Sequence, residues 1–187
     1  MRAFVTIVPI LAMGIAASAE AAVSVFGDSD AYQCYRAADE ARTDTAAFRI
    51  CDEALDNREL RGRDRVATFV NRGILHVLLG RYELAIADYD RAIALDADEP
   101  EAYLNKGLAL LRRDDGGEGS VALLSAALDR GTREPAIAHY SRGIAHELNG
   151  DIVAAYHDLR RANQLAPGWD APERDLARFE VRDPDLR

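Results

Sequence analysis

From residue 30 onward, apolar side chains recur every three to four positions in blocks broken by Gly, Asn, Asp or Pro, and no stretch of useful length alternates with period two. That periodicity predicts amphipathic helices and argues against strands. The blocks come in pairs. In TFVNRGILHVLLGRYELAIADYDRAIALD (68–96) two apolar patches flank Leu79-Gly80-Arg81, and in HYSRGIAHELNGDIVAAYHDLRRANQLAP (139–167) they flank Leu148-Asn149-Gly150-Asp151. Gly and Asn at those places are helix-end residues.

The pairs repeat. Gly73, Gly107 and Gly143 are spaced by 34 and 36 residues, and AYLNKGLALL surrounds the middle one. Twelve residues after each glycine comes a small residue (Ala85, Gly119, Ala155), four further on a large apolar one (Tyr89, Leu123, Leu159), and three beyond that an alanine (Ala92, Ala126, Ala162). A weaker copy precedes them in Tyr35, Ala47, Cys51 and Ala54. Glycine within a helix costs about 1 kcal/mol against alanine, so its recurrence implies two helices in close approach. The pattern predicts a tandem array of αα-hairpins.

The run NRG…G-x-Y-x-x-A-x-x-D-Y…A-I…LD in 71–96, with SRG…A…L…A…LAP in 141–167, resembles the tetratricopeptide repeat (TPR) family. The resemblance covers about residues 28–169 in units of about 28–65, 66–99, 100–135 and 136–169. In the third unit Asp114 to Gly119 replaces the usual turn, which predicts a late start for its second helix; the first unit lacks the mid-helix glycine. The resemblance implies an all-α, right-handed superhelical solenoid. A capping helix at about 170–181, opened by Pro172 and burying Trp169, Leu176 and Phe179, would cover the last hairpin; residues 182–187 should fray.

The first residues read as an address. Met1-Arg2 precedes an apolar run that is interrupted by Pro9 and ends in Ala17-Ser18-Ala19. The run is shorter than the ~20 residues of a bilayer span and ends in a small-x-small site, so residues 1–22 are expected to be a signal peptide cleaved between about Ala19 and Ala22; an uncleaved anchor is the alternative. Export, on the bacterial pattern to the periplasm, permits Cys34 and Cys51 to pair. Their spacing fits neither a redox motif nor a zinc site. Within the array they fall on the two helices of the first unit, on facing stripes, which predicts a disulfide over the alternative of two buried thiols.

Charge narrows the partners. The 187 residues carry a net charge of −9, which argues against the basic footprint of a phosphate-backbone binder, so nucleic acid is not expected. Hydrophobic residues at 49% and aromatics at 7% fit a core of small and aliphatic side chains. The acids Glu83, Asp88 and Asp90 read as solvated faces near helix starts and turns.

First helices of such arrays line the concave face. The residues expected to bind a peptide or partner helix there are Val70, Asn71, Ile74, Leu104, Asn105, Leu108, Tyr140 and Ile144, with Ala67, Leu78, Glu101, Arg112, Ile137 and Leu148 on the same stripes. The alternative is that several of them are buried between helices. Asn71 and Asn105 resemble part of the family's clamp for acidic chain termini, but no Lys or Arg accompanies them at the places that clamp requires, so such a clamp is not expected. His139, His146 and His157 are the only candidates for chemistry. Seven residues span about 10.5 Å along a helix, too far for His139 and His146 to share one zinc, so packing roles are expected, with no metal and no cofactor. The sequence therefore predicts a non-catalytic protein-interaction module of the cell envelope. A permanent subunit of an envelope complex or a homo-oligomer is the second reading, and a His-dependent metalloenzyme the third.

Overall fold

The computed structural model describes residues 29–113 and 117–179. The expected signal peptide, the third unit's turn at 114–116, Glu180 and the terminal residues lie outside them. The described residues are all helical, without strands: α1 (Asp30–Asp39), α2 (Thr45–Asp56), α3 (Gly62–Leu78), α4 (Tyr82–Leu95), α5 (Pro100–Arg112), α6 (Gly117–Asp129), α7 (Pro135–Leu148), α8 (Ile152–Leu165) and α9 (Asp170–Leu176). Consecutive helices pack as four hairpins, and the first helices also meet one another, α1 on α3, α3 on α5 and α5 on α7. This is an αα-hairpin solenoid.

Local signals explain the element ends. Ser29, Asp44 and Asp151 accept the backbone N–H three residues ahead, and Pro100 and Pro135 open α5 and α7. α3 closes in a Schellman turn: the Arg81 N–H donates to the His76 carbonyl at 2.9 Å, with Gly80 at φ 68°. The same turn recurs at Gly131, Gly150 and, in the first unit, at Ala41, which holds φ 52° without being glycine.

The repeated glycines mark the close approaches. A Cβ on Gly107 would lie 2.9 Å from Leu124 Cγ, and one on Gly143 would lie 3.0 Å from Leu159 Cγ. The partner of Gly107 is thus Leu124, not Leu123. On α6 Ser120, Leu124 and Ala127 are buried, one position later than Gly119, Leu123 and Ala126. Helix bounds shift elsewhere too: α3 begins at Gly62, four residues ahead of the expected unit start, and α9 begins at Asp170 as expected, with Pro172 buried in its first turn, but ends at Leu176, short of the expected 181.

In the first hairpin Cys34 and Cys51 form a disulfide across a Cα separation of 4.8 Å. Both are fully buried. The cross-link supports the hairpin that has no mid-helix glycine.

Candidate functional site: the first-helix face and its polar clamps

Six of the eight residues expected to line an open groove are interior. Val70, Asn71 and Leu104 are fully buried, and Ile74, Asn105 and Leu108 are at most 4% exposed. The first helices lie directly against one another, and small residues such as Ala67, Ala102 and Ala109 at their contact let the flanking stripe close over. Asn105 donates its side-chain N–H to the Glu101 carbonyl one turn back at 2.8 Å, a helix-internal bond. Glu101 is also buried: its carboxylate accepts from the Thr132 hydroxyl at 2.8 Å and from the Arg133 N–H at 2.9 Å, tying α5 to the α6–α7 linker.

What stays accessible is the far end of the same stripes. Steps of four residues run from Val70 and Ile74 to Leu78, from Leu104 and Leu108 to Arg112, and from Tyr140 and Ile144 to Leu148. Leu78, Arg112, Tyr140 and Ile144 are half-buried, and Leu148 is 52% exposed. On α7 nearly the whole stripe is reachable, because α9 replaces the first helix that a fifth unit would supply. Tyr140 is already engaged there. Its hydroxyl donates to Asp175 at 2.8 Å and its ring lies 4.8 Å from that of Trp169. Burial and the Asp175 carboxylate push the Tyr140 phenol well above its ordinary range. Arg178 grips Glu147 through two bonds of 2.8 and 2.9 Å, closing the cap onto α7.

Two carboxylates that sequence reasoning missed organise the hairpins. Asp88, expected on a solvated face, is 3% exposed and takes both Nε and Nη2 of Arg72, at 2.8 and 2.6 Å. Arg72 reaches back to Asp52 at 2.7 Å, joining the first and second units. Asp158 repeats the arrangement, accepting from Arg142 at 2.7 and 2.8 Å and facing His139 Nδ1 at 2.8 Å. Burial works against the Asp158 charge, but the Arg142 and His139 hydrogen bonds outweigh it and hold the carboxyl below its ordinary range. His76 lies beside Asp88, and there burial outweighs the carboxylate and lowers the imidazole below its ordinary range. The detectable signal was an Arg immediately before the mid-helix glycine with an Asp sixteen residues on, present in the second and fourth units only.

The histidines thus divide. His139 and His146 both face Asp158 from α7, whereas His157 is exposed on α8 with its ring near Tyr156. Among the described residues no group of three or more His, Cys, Asp or Glu side chains is arranged to hold a metal ion. Among them, too, no helix is long and apolar enough to cross a membrane.

Residues 73–113 match the family described as TPR repeat. A crystal structure of MamA superposes with a TM-score of 0.65 at 20% identity, covering 81% of this chain and 82% of that one. The MamA RS-1 ArsTM double mutant superposes with a TM-score of 0.66 at 19% identity, covering 81% and 83%. No curated protein sequence matches the chain.

Proposed function

We propose that this chain, a tetratricopeptide-repeat protein by its repeat and its fold, is an exported interaction module that binds a peptide or partner helix reversibly on its first-helix face, in a bacterial-type periplasm. The fold supports the general role, since TPR domains mediate protein–protein interaction. One observation carries the finer reading: on α7 the apolar stripe of Ile144 and Leu148 remains accessible, and Leu78 and Arg112 are half-buried at the equivalent ends of α3 and α5. A partner helix laid along α7 would find apolar anchors at helical spacing in Ile144 and Leu148. The apolar run before Ala19 and the disulfide in the first hairpin support export to an oxidising compartment.

The test compares wild type with Leu78→Glu/Leu148→Glu as bait in envelope extract. Neither side chain is fully buried, so the variant should fold. Capture by wild type, lost in the folded variant and released on dilution, is the expected result. Equal capture by both would move the interaction to another surface, and a complex that survives dilution would make the chain a permanent subunit.

A further inference from the structure

Cross-links between the two helices of one hairpin recur along the array. The first hairpin has the Cys34–Cys51 disulfide, the second the Arg72–Asp88 pair and the fourth the Arg142–Asp158 pair. In both charged clamps the arginine precedes the mid-helix glycine. The aspartate precedes the large residue that meets that glycine, Tyr89 against Gly73 and Leu159 against Gly143. The third hairpin keeps this frame with different chemistry. Lys106 precedes Gly107, and Leu123, half-buried and uncharged, precedes Leu124. With leucine at the clamp position, Lys106 turns back to Asp90 on α4. Arg113 likewise pairs with Glu83 of α4 at 2.7 Å. α6 is tied forward instead: Arg142 of α7 donates to the Ser125 hydroxyl at 3.0 Å, and a Cβ on Gly117 would collide with the Ala145 carbonyl of α7. The two ends of α6 are also held unequally. At its C-terminal end Arg130 Nε donates to the Ala97 carbonyl at 2.8 Å, its guanidinium lies 4.3 Å from the Tyr103 ring centroid, and Thr132 donates to Glu101. Its first turn contains Gly117 and Gly119, poor helix residues. There the Ser120 hydroxyl is fully buried and has no hydrogen-bond partner among the described residues. Such a group favours a state that lets water reach it.

We propose that the third hairpin is the joint of the array: α6 separates from α5 at its first turns, pivots on the Glu101–Thr132 contact and moves with α7, while the second and fourth hairpins stay closed. Opening there exposes Leu108 and Leu124, which the closed array hides, and changes the curvature between the first two units and the last. The joint follows from where this chain places its own clamps, so it holds whether or not the first-helix face takes a partner.

The experiment is native-state amide hydrogen exchange of the mature protein, read by mass spectrometry and corrected for intrinsic rates. Amides of 121–128 in α6 should exchange at least about tenfold faster than those of 86–93 in α4 and 156–163 in α8. An interior maximum is the signature, because fraying from an end falls off steadily inward. Lys106→Arg/Leu123→Asp supplies the missing clamp. It should slow α6 exchange at least about tenfold relative to Lys106→Arg/Leu123→Asn, which differs in charge at one atom. Asp158→Asn breaks the fourth clamp and should raise α8 exchange towards the α6 level. Should the Leu123 variants not fold, the wild-type profile and Asp158→Asn decide the matter. Exchange in α6 as slow as in α4, or rates rising evenly from α4 to α8, overturns the joint. So does equal α6 exchange in the folded aspartate and asparagine variants, or an α8 that Asp158→Asn leaves unchanged.

Discussion

Replacing Asp158 by asparagine perturbs the fourth hairpin at one atom. The carboxylate is 6% exposed and holds Arg142 through two bonds and His139 through a third. Asparagine fills the same volume but sets an N–H₂ donor against a donor where an acceptor stood. Each hydrogen bond to a charged group contributes about 1.5–3 kcal/mol, and stripping one partner from a fully buried pair costs about 3–5 kcal/mol. Arg142 keeps 22% exposure and can recover water, which places the expected loss at about 2–3 kcal/mol. For a chain of this size that lowers Tm by about 5–10 °C, readable by circular dichroism melting. The sign with pH follows from the lowered Asp158 pKa. Its stabilisation is complete above the unfolded carboxylate pKa near ~3.9 and is lost as pH falls below that value through the folded pKa. The gap between wild type and variant should therefore be widest near neutrality and close in acid. Glu53→Gln, which breaks an exposed pair at 2.7 Å, should cost under about 0.5 kcal/mol. A loss at Asp158 no larger than that control, or a gap that widens in acid, would refute the reasoning.

Two further outcomes are expected. Cys34→Ala/Cys51→Ala opens a loop with a sequence separation of 17 and should lower stability by about 3 kcal/mol in the chain-entropy model; a melting temperature unchanged from the oxidised wild type, or unchanged by reductant in the wild type, would contradict this. Leu124→Ala should cost about 2–5 kcal/mol in urea unfolding and Leu123→Ala distinctly less, because Leu124 is fully buried and Leu123 only partly; the reverse order would restore the register that the spacing alone predicts.

That register shows where the sequence was legible and where it was ambiguous. The glycine before each close approach, and the Tyr89 or Leu159 that meets it, stand out because polar residues surround them. In α6 the run Ser120-Val121-Ala122-Leu123-Leu124-Ser125-Ala126-Ala127 doubles every informative position, so a slip of one residue preserves the pattern. Only the three-dimensional contact of Gly107 with Leu124 separates the two. The disulfide was readable because pairing needed only the hairpin and an oxidising compartment. The first-helix face was not. Whether Val70 and Leu104 are open or covered depends on how closely successive units approach, and no period within one unit encodes that. Asp88 and Asp158 look like any helical acid until the arginine of the facing helix is placed beside them.

The central claim, that a partner docks where the first-helix stripe emerges, is tested most directly by site-specific photo-crosslinking in intact cells. A photoreactive residue in place of Leu148 should give a discrete adduct with one partner, whereas the same residue at exposed Arg161 on the second-helix side should give none. Adducts at Arg161 alone, or no adduct at Leu148 from a folded and exported chain, would contradict the account.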